Sequence, residues 1–213
     1  MKIDIKIPTE LSDIKLSDYQ KYLRTTEGSE DVNFINRQLV SIFCKIPDEH
    51  VGKILAKDYN GLIEDITKVL NKEPKLVTRF KKDGVEYGFI PKLDDITVGE
   101  KADLDTFLGD IQKLDQAMKV LYRPIISQTK DKYLIDEYKK ESEDLDVTLD
   151  IALGAMVFFY NLMKDLLSFT QNYIEEAVQE PKVSQLLAKN GVGIKTFTHS
   201  LQEVFSGLKM SLN

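Results

Sequence analysis

The residues best suited to nucleophilic chemistry are one cysteine and two histidines, Cys44, His50 and His199. A thiol becomes a catalyst when a nearby base lowers its pKa and solvent can reach it. His50 follows Cys44 closely, but the cysteine lies in the apolar run LVSIFCKI, which is typical of a protein core. We therefore expect Cys44 to be a buried core residue. An enzyme that uses Cys44 or a carboxylate pair ranks below a non-enzymatic protein.

A second group that could do chemistry is a set of five carboxylates around the start of a predicted helix. Oxygen-rich sets of this kind can bind Mg²⁺ or Ca²⁺, but the loop spacing with a central glycine is missing. Negative charge in the first turn of a helix is itself stabilising, and we expect that role here. The five residues are Asp94, Asp95, Glu100, Asp103 and Asp105.

The stretch NGVGIKT, residues 190–196, superficially resembles a phosphate-binding loop. That loop needs a glycine directly before its lysine and follows a strand. Here Ile194 precedes Lys195, and the upstream pattern is helical. We expect this stretch to be a turn between two helices. For the protein as a whole we expect no catalytic residue and no cofactor.

The elements that must position these residues are mostly helices. Apolar residues recur at helical spacing in most of the chain. Ser17 with Gln20, and Thr97 with Glu100, have the spacing of a capping box, which predicts helix starts near Ser17 and at Val98. The other predicted helices cover residues 31–45, 50–55, 58–71, 110–122, 146–179 and 197–212, and the one at Val98 runs toward residue 108.

Three segments have the pattern of strands. Residues 2–8 alternate apolar and charged residues, which predicts a half-buried strand ended by Pro8. Asp83-Gly84 separates two runs rich in Val, Phe and Tyr, a hairpin signal. Residues 124–138 read as a second hairpin around the polar turn 129–132.

The sequence thus predicts a mainly α protein with small β-hairpins (α+β). We expect its helices to form a bundle around a long apolar helix near residues 146–179. We divide it into an N-terminal strand plus helices (1–75), a β-hairpin segment (76–97) and a C-terminal helical part (98–213), together forming one compact unit.

Composition restricts the partners of this protein. The formal net charge is −6, whereas binding to nucleic acid or to anionic membranes requires surplus Lys and Arg. The most apolar stretch, residues 151–163, is shorter than the ~20 residues of a membrane span. We expect neither direct nucleic-acid binding nor membrane insertion.

The stretch MKVLYRPI contains an arginine whose role is not evident from local chemistry. Pro124 lacks an amide donor and restricts Arg123, so the helix should end at or before Arg123. A cation in the last turn also suits the helix dipole. We favour this helix-stop role and keep open an intersubunit salt bridge. Tyr122, Arg123, Pro124 and Ile125 are our candidate interface.

Four stretches, ITVGEKADLDTFLGD, MKVLYRPI, LDIALGAMVFFYNLMKDLL and NGVGIKTFTHSLQEVF, occur in that order over about half of the chain, residues 96–205. In order and spacing they resemble small proteins encoded among the structural genes of tailed bacteriophages, in particular crAss-like phages. The motifs are short and helical rather than catalytic.

The resemblance implies a virion protein, made in the cytoplasm of the bacterial host, that forms part of a ring, neck, tail or capsid. Its partners would be other phage structural proteins and further copies of itself. The alternative is an assembly chaperone that binds another head or tail protein transiently and is absent from the mature particle.

Overall fold

The computed structural model describes residues 5–130 and 132–177. Within them the protein is mixed α+β, with seven α-helices and one four-stranded antiparallel sheet, which confirms the predicted α+β class. The chain divides into two compact units, the first ending at Gly154 and the second beginning at Ala155. The predicted division into segments 1–75, 76–97 and 98–213 stays a prediction.

The N-terminal part is helical, and its core is apolar. Helix α2 packs against both α1 and α4, and the rings of Tyr22 and Phe43 lie 5.3 Å apart between α1 and α2. Asp31 caps α2, since its carboxylate accepts hydrogen bonds from the backbone N–H groups of Asn33 and Phe34. The helices are α1 (Leu16–Thr26), α2 (Val32–Phe43), α3 (Asp48–Val51) and α4 (Ala56–Leu70). Helices α2 and α4 are close to the predicted ranges, whereas the helix predicted at residues 50–55 lies earlier and ends at Val51.

The capping box predicted at Ser17 and Gln20 is wrong. Helix α1 already begins at Leu16, and the hydroxyl and the backbone N–H of Ser17 both donate to the carboxylate of Asp146 at 3.0 Å. The Gln20 amide donates to the carbonyl of Ile111. A carboxylate far away in sequence thus supplies the acceptor at this helix start.

The sheet consists of two hairpins joined through their inner strands. Its order is β1-β2-β3-β4, and every neighbouring pair is antiparallel. Asp83 and Gly84 both have positive φ, as the tight turn between β1 and β2 requires, so the predicted hairpin is confirmed. The strands are β1 (Arg79–Lys82), β2 (Val85–Phe89), β3 (Tyr122–Gln128) and β4 (Tyr133–Ile135).

One face of the sheet carries an aromatic cluster. Phe80 stacks on Tyr87, and Tyr122 makes edge contacts with Phe80 and Phe89, all at centroid distances of 5.3 Å. The Tyr122 hydroxyl donates to the carbonyl of Val77 at 2.8 Å. Phe89 and Tyr122 are 5% and 1% exposed, so this face of the sheet contributes to the core.

Two further helices precede β3, α5 (Val98–Phe107) and α6 (Leu114–Leu121). The capping box at α5 is confirmed: the Thr97 N–H donates to Glu100 at 2.6 Å, and the Glu100 N–H donates to the Thr97 hydroxyl at 3.2 Å. Helix α6 ends at Leu121, before Arg123 as predicted.

The long helix α7 covers Leu149–Ala177. Its start is fixed by the Leu149 N–H, which donates to the carbonyl of Ile14 at 2.8 Å. Leu149, Ile151 and Ala152 are buried, but Asn161 is exposed, so the described residues do not support a long apolar helix at the centre of a bundle. In the described part of the chain, every helix is too short or too polar to cross a membrane.

The predicted N-terminal strand is not formed in its described part, since residues 5–8 pair with no strand of the sheet. Residues 1–4, the predicted turn at 190–193 and the predicted helix 197–212 lie outside the described residues.

Candidate interaction site

The second face of the sheet is organised around a glycine. Gly88 pairs with Arg79 on β1 and with Arg123 on β3. A Cβ atom at Gly88 would collide with the ring of Tyr133 and would lie 3.1 Å from Ile125. Only a glycine therefore allows the tyrosine ring to lie across β2.

Tyr133 in turn positions a cation. Its hydroxyl donates to the carbonyl of Phe89 at 2.6 Å, and burial raises the pKa of this hydroxyl, which keeps it protonated as a donor. The guanidinium carbon of Arg79 lies 4.4 Å from the centre of the Tyr133 ring, a cation–π contact. The charge of Arg79 is thereby held on this face of the sheet.

Arg123 is the second arginine on this face. Its Nη1 lies 2.7 Å from Oε1 of Glu100, and the two side chains are 13% and 5% exposed. Glu100 uses its other oxygen to cap α5, so one carboxylate joins β3 to the start of that helix. The Nε of Arg123 is buried without a hydrogen-bond partner among the described residues.

One turn further along α5, Asp103 accepts hydrogen bonds from Lys140 at 2.8 Å and from Tyr138 at 2.9 Å. These bonds, that of Lys140 first, lower the pKa of Asp103. Burial and the bond to Asp103 raise the pKa of Tyr138. Of the predicted acidic set, Glu100 and Asp103 therefore make structural contacts. Residues 5–130 and 132–177 contain no group of three or more His, Cys, Asp or Glu that could hold a metal ion.

A groove of about 770 Å³ opens on the second face of the sheet, between β4 and the segment 90–96. Its apolar walls include Ile90, Ile96 and Ile135. We call it the cationic groove, because four of its described lining residues are basic and one is acidic. The basic residues are Arg79, Lys92, Arg123 and Lys132, and the acidic residue is Asp95.

The rim of the cationic groove is an exposed hairpin. Strand β4 forms hydrogen bonds with β3 on one side and lies at the edge of the sheet. Ile126 and Leu134 on these two strands are each 64% exposed, and the pairing is irregular between Ile125 and Ser127. Exposed apolar side chains beside a free strand edge are features of protein contact surfaces.

The structure uses the four residues of the candidate interface differently. Tyr122 is buried at 1% exposure, and Arg123 forms an ion pair within the chain, with Glu100. An intersubunit salt bridge of Arg123 stays a prediction. Pro124 and Ile125 are half-buried, and a contact role for them stays a prediction. The sequence did not reveal the groove, although Gly88 inside a strand pattern was a signal of a close approach.

The structure describes two of the three nucleophile candidates, Cys44 and His50. Cys44 is 3% exposed, and burial raises the pKa of its thiol to about 11, which confirms it as a core residue. The Nε2 atom of His50 lies 3.5 Å from the carboxylate of Glu49. His199 and residues 190–196 lie outside the described residues.

Comparison with known proteins gives no family: no protein-family model matches the chain, and no match was found among curated proteins or solved structures.

Proposed function

We propose that this protein is a non-enzymatic structural or adaptor subunit of a tailed-phage virion, which acts through contacts with other protein chains. The observation that carries the proposal is the β3–β4 hairpin, where Ile126 and Leu134 are both 64% exposed beside the free edge of β4. Burying such side chains against a partner is favourable at roughly 25 cal/mol per Å². A free strand edge can also pair with an added strand.

The polar side chains near this hairpin support a structural role as well. Glu100 is engaged by Arg123 and by the Thr97 N–H, and Asp103 by Lys140 and Tyr138. These contacts stabilise the surface that carries the hairpin. The assignment to a phage particle rests on the resemblance of residues 96–205. The helical bundle expected around α7 is likewise part of this proposal.

The test is quantitative mass spectrometry of purified particles of the phage that encodes the chain. We expect the protein in a fixed ratio to the major structural proteins. In a phage that carries Ile126→Asp with Leu134→Asp, the amount per particle should fall at least about tenfold, because two carboxylates would be desolvated at the contact. The thermal midpoint of the purified variant should stay unchanged, since both positions are exposed.

The matched control adds two aspartates elsewhere, Leu55→Asp with Val98→Asp. Leu55 and Val98 are 73% and 88% exposed and lie at helix starts, where a carboxylate is tolerated. This variant should enter particles normally. If the wild-type protein is absent from mature particles but required for their formation, the assembly-chaperone alternative is correct. If it is neither present nor required, the phage assignment is wrong.

A further inference from the structure

Two basic residues of the cationic groove have no carboxylate partner among the described residues. Lys92 lies 3.7 Å from Asp95, and Arg123 is paired with Glu100, so these charges are offset within the chain. Arg79 and Lys132 form no such pair, although Arg79 is held over the Tyr133 ring. The groove therefore presents surplus positive charge in a protein whose formal net charge is −6.

The same chain exposes the complementary charge in one loop. Residues 141–144 read Glu-Ser-Glu-Asp, and all four are exposed. Lys119 anchors this loop, since its ammonium group donates to the carbonyls of Lys140 and Ser142 and lies 3.0 Å from Asp144. We call residues 141–144 the acidic loop.

The anchor leaves two carboxylates of the acidic loop available. Asp144 forms an ion pair with Lys119, whereas Glu141 and Glu143 have no ion-pair partner among the described residues. Because the backbone of the loop is already held, little conformational entropy remains to be lost when a partner binds it. The loop is a preorganised acidic ligand.

We propose that the cationic groove binds the acidic loop of a second copy of this chain. Glu141 and Glu143 of one copy meet Lys132 and Arg79 of the other, and Lys92, which lines the same groove, adds to the positive charge that they meet. The apolar groove walls strengthen these contacts by excluding water. The inference rests on the proposed function, since it specifies which partner the groove takes. It also makes self-association dependent on salt, because exposed charges are screened.

The experiment is sedimentation velocity of the full-length protein from low to high micromolar concentration, at low and at high salt. Wild-type protein should associate at low salt and dissociate at high salt. The groove variant Lys92→Glu with Lys132→Glu, and the loop variant Glu141→Lys with Glu143→Lys, should each associate at least about tenfold more weakly, because like charges then face each other. All four positions are exposed, so the thermal midpoints should match that of the wild type.

Mixing the two variants is the decisive measurement. A reversed groove is complementary to a reversed loop, and the wild-type groove and loop remain for the reciprocal contact. The mixture should therefore recover association that neither variant shows alone. If it does not, the groove and the loop are not partners, and the proposal is overturned.

Two controls match these charge changes. Lys53→Glu with Lys57→Glu and Glu27→Lys with Glu30→Lys alter equally exposed positions elsewhere, and both should associate like the wild type. Equal weakening by the controls would mean that net charge alone governs association, which overturns the proposal. A monomeric wild-type protein at low salt also overturns it. Each of these outcomes overturns only the pairing of groove and loop. The proposed function would still hold if the protein is found in purified particles.

Discussion

The guanidinium of Arg123 and the carboxylate of Glu100 form an ion pair at 2.7 Å with side-chain exposures of only 13% and 5%. The pair joins β3 to the first turn of α5, two elements that are not adjacent in the sequence. Removing one partner of a buried pair leaves an uncompensated charge, which costs far more than the pair itself contributes. Arg123 therefore stabilises the fold through this pair.

Arg123→Ala should destabilise the protein by about 3–5 kcal/mol, because it leaves Glu100 charged and buried. Glu100→Gln should also destabilise it strongly by leaving Arg123 unpaired, although glutamine can still accept the Thr97 N–H. Urea denaturation monitored by circular dichroism measures both effects. Replacing both residues, Arg123→Met with Glu100→Gln, should recover a large part of the loss.

The control for this prediction is an exposed pair on the same helix. Lys101 and Asp105 lie 2.6 Å apart, with side chains 64% and 53% exposed. Lys101→Ala should change the free energy of unfolding by less than about 1 kcal/mol, since solvent screens the pair. Arg123→Ala with wild-type stability but defective self-association would contradict the core role and favour the interface role.

Gly88→Ala should destabilise the protein by about 1–3 kcal/mol, because the added methyl group would collide with the Tyr133 ring. In the Tyr133→Ala background the obstacle is gone, so the same substitution should cost much less. Thermal denaturation of the four proteins of this double-mutant cycle measures the coupling. Equal costs in both backgrounds would show that the ring is not the reason for the glycine.

Local signals in the sequence predicted the local structure. Asp83-Gly84 specified its turn, and the Thr97/Glu100 spacing specified its helix start, because each depends on residues within one turn of the chain. Ser17 has the same local spacing, yet its donors are taken by Asp146. The start of α1 is thus determined by a tertiary contact that no local pattern contains.

The cationic groove could not be predicted for the same reason. Arg79, Lys92, Arg123 and Lys132 come from separate segments of the chain, and only the tertiary fold brings them to one groove. The position of Arg123 before a proline correctly predicted where α6 ends. Its pairing with Glu100 depends on how α5 packs beside the sheet, and spacing along the chain does not report packing.

Two glycines within helices should respond to alanine with opposite signs. Gly61 of α4 has open space where a Cβ would lie, so Gly61→Ala should stabilise the protein by about 0.5–1 kcal/mol through helix propensity. At Gly154 of α7 a Cβ would collide with the backbone carbonyl of Lys75, so Gly154→Ala should destabilise it by about 1–3 kcal/mol.

Thermal and urea denaturation of the two glycine variants check this pair of predictions. The substitution is the same in both, so the difference isolates the effect of the neighbouring backbone. If Gly154→Ala stabilised the protein as much as Gly61→Ala, the close approach of α7 to Lys75 would be refuted.

The last prediction concerns acid stability. The pKa of Asp103 is lowered in the folded chain by the bonds from Lys140 and Tyr138, so the unfolded chain takes up this proton at a higher pH than the folded chain does. Stability from Asp103 is therefore fully present at neutral pH and is lost as the pH falls below the ordinary carboxyl value of about 3.9. Lys140 and Tyr138 donate to different oxygens of the carboxylate, so Asp103→Asn keeps an acceptor for one of the two donors and removes the titration.

The free energy of unfolding of the Asp103→Asn variant should thus be lower than that of the wild type at neutral pH, and the two should converge as the pH falls below about 4. Urea denaturation at a series of pH values measures this convergence. Parallel curves for Asp103→Asn and the wild type would mean that the bonds from Lys140 and Tyr138 do not favour the charged carboxylate.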